Sequence, residues 1–231
     1  MKTLGVIGGM SWESSAVYYR LINQGVAARA GGLHSAPLLL HSVDFAGIAA
    51  AQAEGDWPGL AERLGGAARG LVNAGAGAVL IATNTMHKLA DEVQAAAGVP
   101  LLHIADATGS ALRAAGITRA GLLGTRFTME DPAIVRDRLL TRHGVQTLLP
   151  DDAGRAAVHR IIYEELCRGR VEPSSRAVYV RAIESLRDAG AEAVILGCTE
   201  IGMLISPADS PLPVFDTTNL HAAAAVDWIC S

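Results

Sequence analysis

A chain of 231 residues that is 50% apolar and 18% charged carries enough hydrophobic material for one large core or two small ones, and too little charge to stay disordered. Its net charge of −4 contains no block of Lys or Arg, which excludes the basic patch of a nucleic-acid-binding protein. Cys167, Cys198 and Cys230 are odd in number and far apart, which excludes a disulfide framework and zinc spacing and suits a reducing cytoplasm. Only 4% of residues are aromatic, so the interior is built mostly from Ala, Val, Leu and Ile.

In chain order, residues 4–7 are a short apolar run closed by Gly8-Gly9, the pattern of a buried strand. A helix is predicted over 11–29 with Ser11 as its N-cap, a strand over 38–43 after Pro37, and a helix over 56–74. A strand over 78–82, a helix over 84–96, a strand over 101–104 after Pro100 and a helix from 108 to 115 follow. The cycle then restarts. Gly121-Leu122-Leu123-Gly124 matches Gly5-Val6-Ile7-Gly8. Helices are predicted over 131–143, 152–168 and 173–189, with strands at 120–123, 146–149 and 194–197. A short helix comes after Cys198, a strand at 214–215, and an Ala-rich helix over 218–230. Asp216-Thr217-Thr218 echoes Asp106-Ala107-Thr108. The apolar opening is too short and too glycine-rich for a signal peptide, and no apolar run approaches the roughly 20 residues of a membrane span.

Strands alternating with helices imply parallel sheets with right-handed crossovers. Repetition at half the chain implies two α/β subdomains, each a doubly wound parallel sheet, related by pseudo-symmetry. Residues 1–115 with 216–231 are expected to form the first and 116–215 the second. Ligands of open α/β sheets lie beyond the carboxyl ends of the strands, so the site is expected in the cleft between the halves.

The repeat is sharpest between residues 74–85 and 189–200. Ala-Gly-Ala-Gly-Ala-Val-Leu-Ile-Ala-Thr-Asn-Thr is answered by Ala-Gly-Ala-Glu-Ala-Val-Ile-Leu-Gly-Cys-Thr-Glu. Thr83 falls opposite Cys198, at an offset of 198 − 83 = 115. Both are small polar residues at a strand end, able to carry a proton to opposite faces of one carbon. Cys198 precedes a helix start, where backbone N–H groups favour a thiolate. Thr83, Asn84 and Thr85 supply donors for a carboxylate, with capping as the plain alternative. Gly8-Gly9-Met10-Ser11 lacks the G-x-G-x-x-G pattern and its ribose-binding acid, so no dinucleotide is expected. His87 and His103 read as packed histidines, and Cys167 and Cys230 as structural. No His and carboxylate spacing fits a metal.

Gly8-Gly9-Met10-Ser11-Trp12-Glu13-Ser14, Asn84-Thr85-Met86-His87, Gly124-Thr125-Arg126-Phe127-Thr128-Met129, Gly197-Cys198-Thr199-Glu200 and Val214-Phe215-Asp216-Thr217 together resemble the aspartate/glutamate racemase family, over essentially the whole chain. The bacterial branch with L-aspartate/glutamate or broad specificity is the most similar. The resemblance implies racemisation of a small-molecule amino acid with no cofactor, and commonly a homodimer. In that family one cysteine from each half flanks the substrate Cα. Cys198 matches one of them, and Thr83 stands where the other would be. A thiol has a pKa of about 8.5 and is readily tuned into a base, whereas a threonine hydroxyl does not ionise near neutrality. One enantiomer, the L form by resemblance, is therefore expected to be handled better.

The resemblance assigns the substrate carboxylate to Asn84, Thr85 and Thr199, with Met10 and Ser11 at the glycine turn and Gln52 in a loop. Thr125 and Glu200 complete the substrate-side set. Cys167 stands where aspartate racemases often place a lysine, which implies a broader range of side chains. The alternatives are a hydantoin racemase, arylmalonate decarboxylase or maleate isomerase activity on the same sites, or an amino-acid-binding protein without turnover.

Overall fold

The computed structural model describes all 231 residues. They divide into two units. Unit 1 is 1–103 with 221–231, and unit 2 is 104–220.

Unit 1 runs β1 (Leu4–Gly8), α1 (Trp12–Ala30), β2 (Leu38–Ser42), α2 (Phe45–Glu54), α3 (Trp57–Asn73), β3 (Ala78–Ile81), a 3-10 turn (Thr85–Leu89), α4 (Ala90–Ala97) and β4 (Leu101–Leu102). The sheet is parallel in the order β2-β1-β3-β4. β1 and β3 are buried along their full length, as expected of strands covered on both faces. Side-chain alternation sends Ile7, Val79 and Ile81 to a core with Leu60, Leu64 and Val93. It sends Leu4, Val6, Ala78 and Leu80 to a second core with Tyr18, Ile22, Val226 and Ile229. Each fully buried Val, Leu or Ile among them contributes about 1.5–3 kcal/mol.

Unit 2 runs α5 (Ile104–Ala114), β5 (Arg119–Gly124), α6 (Arg126–Glu130), α7 (Arg136–His143), β6 (Gln146–Leu148), α8 (Asp152–Glu164), a 3-10 turn (Leu166–Arg168), α9 (Pro173–Asp188), β7 (Ala193–Gly197), 3-10 turns at Ile201–Met203 and Pro207–Asp209, and β8 (Val214–Asp216). Its parallel sheet has the order β6-β5-β7-β8, the same winding as the first. α10 (Thr217–Cys230) begins in unit 2 and supplies residues 221–230 to unit 1. No helix is long and apolar enough to cross a membrane.

The hydrogen-bond register carries the duplication through to Thr83 and Cys198. Val6 pairs with Leu80 and Ile7 with Ile81 in the first sheet, and Leu122 with Ile195 and Leu123 with Leu196 in the second. Thr83 and Cys198 therefore stand two residues past equivalent strand positions. The same logic corrects one expected echo. Leu80 pairs with Leu102 and Ile195 with Phe215, so the counterpart of Asp216 is His103, not Asp106.

Other differences have local causes. Residues 45–54, expected as a loop holding Gln52, form α2. Asp44 caps it by accepting from Ala46 N, and Gly55 closes it at φ 75°; its run of small residues carries no apolar stripe to read. α6 was also absent from the sequence reading; Thr125 caps it by accepting from Thr128 N. The helix expected over 84–96 is a 3-10 turn followed by α4. The strand expected over 101–104 is two residues long, because α5 already begins at Ile104. The division between units falls at 103/104 and 220/221, where the sequence reading had 115/116 and 215/216. α5 belongs to unit 2 because Arg138 of α7 grips its Asp106 at 2.8 and 2.6 Å.

Candidate functional site

The carboxyl end of β7 carries the densest chemistry in unit 2. Buried Cys198 donates its S–H to Glu200 Oε2 at 2.9 Å, and the Thr199 hydroxyl donates to the same oxygen at 2.6 Å. Glu200 is only 4% exposed. Burial, and then the negative charge of Glu200, push the Cys198 thiol well above its ordinary pKa. This corrects the expected thiolate: the neighbouring turn, Ile201–Met203, is a single short 3-10 turn, and what faces the sulfur is a carboxylate.

Tyr163 and Cys167 belong to the same neighbourhood. Burial raises the Cys167 thiol to about 12, with Glu200 adding to it. Tyr163 is also pushed to about 12, by burial first and then by Cys167, Cys198 and Glu200. Tyr179, whose hydroxyl donates to Val158 O, is raised by burial and by the same group of charges. No Lys, Arg or His acts on Cys167 or Tyr163.

In unit 1, Thr83 lies half-buried at the end of β3, with buried Asn84 and Thr85 following. The Thr83 carbonyl accepts from His87 Nδ1 at 2.8 Å, which makes that nitrogen the protonated one. His87 packs 4.6 Å from His103 and 5.6 Å from His221, centroid to centroid. His221 Nε2 donates to Leu102 O at 2.7 Å, leaving Nδ1 to accept from the Tyr18 hydroxyl at 2.9 Å. Burial lowers His221 to about 4. It holds His87 well below the usual histidine range, helped by His103 and His221. His87 and His221 are therefore neutral at physiological pH; His87 ties down the Thr83 carbonyl, and His221 links Leu102 to Tyr18.

The remaining sequence candidates divide by surroundings. Gln52, in α2, is 5% exposed and its Nε2 has no hydrogen-bond partner. A buried amide with an idle donor is a standing cost and suits a group that an anion completes. Ser11 caps α1, and the turn before it is held by Gly9 N donating to Ser15 Oγ at 2.8 Å. Met10 packs in the apolar core with Ile7 and Ile48. Thr125 Oγ1 accepts from Thr128 N and lies 3.1 Å from Thr128 Oγ1. In unit 2 the structure brings Cys198, Thr199 and Glu200 together; in unit 1 it joins Thr83 to His87. Nothing in the sequence marks His221, Tyr163 or Tyr179 as site neighbours, whereas His103 packs against His87 as expected of a packed histidine. Only the i,i+4 spacing of Tyr163 and Cys167 hinted at a shared face.

Comparison with known proteins places the family and the fold. The family profile described as Asp/Glu/hydantoin racemase matches residues 7–225. A crystal structure from Yersinia pestis, provisionally named an Asp/Glu racemase, is 53% identical with a TM-score of 0.94, covering 100% of both chains. An aspartate racemase homologue from Pyrococcus horikoshii OT3 is 31% identical with a TM-score of 0.84, again over 100% of both. Glutamate racemase from Francisella tularensis subsp. tularensis SCHU S4, solved with D-glutamate, shares the fold at 15% identity and a TM-score of 0.61, over 99% of this chain and 81% of that one. With the profile spanning nearly all of its length and two doubled parallel sheets beneath it, the chain belongs to the Asp/Glu/hydantoin racemase family.

Proposed function

We propose that this protein is a cofactor-independent amino-acid racemase in which Cys198 and Thr83 address opposite faces of one substrate Cα. The observation that carries the reading is the Cys198–Glu200 pair, at the strand position equivalent to that of Thr83.

Cys198 rests as a thiol and is ready to deliver a proton. To act as a base it must first lose one, and Glu200 Oε2, at 2.9 Å, is the acceptor. Moving that proton leaves the pair's total charge unchanged, which avoids creating a second buried charge. The Cys–Glu pair then takes the α-proton on sulfur and can return it. Proton transfer by a positioned group contributes typically 10²–10⁴-fold. Thr83 lacks such a partner: the bond that holds it goes to its carbonyl, not its hydroxyl. Exchange on the Cys198 face is therefore fast and on the Thr83 face slow, and the enantiomer presenting its α-proton to Cys198 is the preferred one. By family resemblance that is the L form.

Asn84, Thr85, Thr199 and the idle Gln52 amide hold the α-carboxylate in this reading. The absence of a cation acting on Cys167 supports a substrate range wider than aspartate and glutamate.

The test is α-proton exchange in deuterated water with each enantiomer of aspartate, glutamate and a panel of neutral amino acids. One enantiomer is expected to exchange at least about tenfold faster, and Cys198→Ala to abolish that exchange. Equal rates for both enantiomers would sink the asymmetry. Undiminished exchange in the variant would remove Cys198 from the mechanism.

A further inference from the structure

Unit 2 contains a cavity of 370 Å³ that the proposed racemisation does not use. That volume lies at the small end of the range for sites that enclose small molecules. Its walls are mainly apolar, chiefly Leu196, Ile205, Val214 and Phe215; Asp216 and Asn219 add polar groups, as does Ser206, whose hydroxyl donates to Asp209. No Lys, Arg or His lines it.

Asp216 is the unusual member. Its Oδ1 accepts from the amides of Thr218 at 2.8 Å and Asn219 at 3.2 Å, which fixes the carboxylate at the start of α10. Its Oδ2 lies 2.6 Å from where a β-carbon on Gly202 would stand, so a glycine there leaves the carboxylate its room. No cationic side chain pairs with Asp216. The half-buried Asp106 of the same unit shows the usual remedy: Arg138 grips it through two bonds and His143 approaches at 3.1 Å. The guanidinium of Arg176 donates to Leu204 O and lies 3.8 Å from Asp209, and it takes no part in the cavity wall. Burial raises the Asp216 carboxyl above the usual range despite its two amide bonds, in keeping with a carboxylate that has no countercharge.

We propose that this cavity binds a small primary alkylamine, with its ammonium on Asp216 and its chain against Leu196, Ile205 and Phe215. A partly desolvated carboxylate gains most from a cation it can hydrogen-bond, and the apolar walls gain from an aliphatic or phenyl body. A free amino acid is selected against, because its own carboxylate would enter a site with a negative pole and no cation. The site is thus distinct in chemistry from one that binds amino acids, and the proposal stands whether or not the racemase reading does.

The experiment is calorimetric titration of the intact protein with n-butylammonium and 2-phenylethylammonium chloride, with 1-butanol and sodium pentanoate as neutral and anionic controls. Both amines are expected to bind at least about tenfold more tightly than either control. Asp216→Asn keeps an oxygen to cap α10 and removes the charge; it should weaken amine binding at least about tenfold. Asn219→Trp, at an exposed rim position, should block the mouth and weaken it comparably, which guards against a folding defect in the first variant. Absence of amine binding by the wild type overturns the proposal. So does equal affinity of butylammonium for the wild type and for a folded Asp216→Asn variant.

Discussion

The sulfur of Cys198 stands 2.9 Å from Glu200 Oε2, and both groups are buried. Glu200 opposes ionisation of the thiol while standing within reach of its proton. These two effects have opposite signs and can be separated.

Glu200→Gln removes the charge and keeps the shape. The thiol then ionises at lower pH, because the charge of Glu200 and its acceptance of the S–H both raise the thiol's pKa. Alkylation of Cys198 by iodoacetamide, followed by peptide mass spectrometry to separate it from Cys167 and Cys230, should accelerate severalfold near pH 8. Substrate α-proton exchange should fall by about 10²-fold, since the proton acceptor is gone. Slower alkylation in the variant would contradict the electrostatic account; unchanged exchange would contradict the proton-transfer role.

Thr83→Cys restores a tunable thiol at the weaker position. Exchange of the disfavoured enantiomer should rise by at least about tenfold, while that of the favoured one changes by less than about threefold. Chiral chromatography of timed reactions in deuterated water measures both. A variant that speeds neither enantiomer would exclude Thr83 from proton transfer.

The neutral histidines of unit 1 predict acid lability. A histidine whose pKa is lowered by folding favours the native state above its unfolded pKa of about 6.5 and loses that contribution as pH falls. For His221, buried and lowered to about 4, the loss runs from about pH 6.5 to about pH 4 and is on the order of 3 kcal/mol. His87 acts in the same direction. Urea midpoints measured between pH 7.5 and pH 4 should fall steeply for the wild type and less steeply for His221→Gln. Parallel slopes would show that another group titrates there.

Gly9→Ala tests the turn that feeds α1. Gly9 has φ 88°, and a β-carbon there would lie 2.2 Å from Val43 O and 2.5 Å from Val43 N. Both obstacles are backbone, so nothing can swing aside. A destabilisation of at least about 2 kcal/mol, or loss of soluble protein, is expected. A urea midpoint equal to the wild type would mean that the turn is not held as described.

Much of the fold is legible along the chain because strands buried on both faces must be continuously apolar. Gly5-Val6-Ile7-Gly8 and Ala78-Val79-Leu80-Ile81 announce themselves, and their repeats at 121–124 and 193–196 announce the duplication. Thr83 and Cys198 are legible for the same reason: each ends such a run. α2 and α6 are not, because short helices capped by Asp44 and Thr125 depend on single hydrogen bonds rather than on an apolar period.

Composition and the doubled motif thus sufficed for the fold class, the family resemblance and the equivalent strand-end places of Thr83 and Cys198, since these rest on local pattern and strand order. The protonation state of Cys198, the grouping of Tyr163 and Cys167 with Glu200, the histidine packing behind Thr83 and the uncompensated charge of Asp216 needed the folded chain. Each depends on desolvation and on the distance between groups remote in sequence, and neither quantity exists until distant segments pack together.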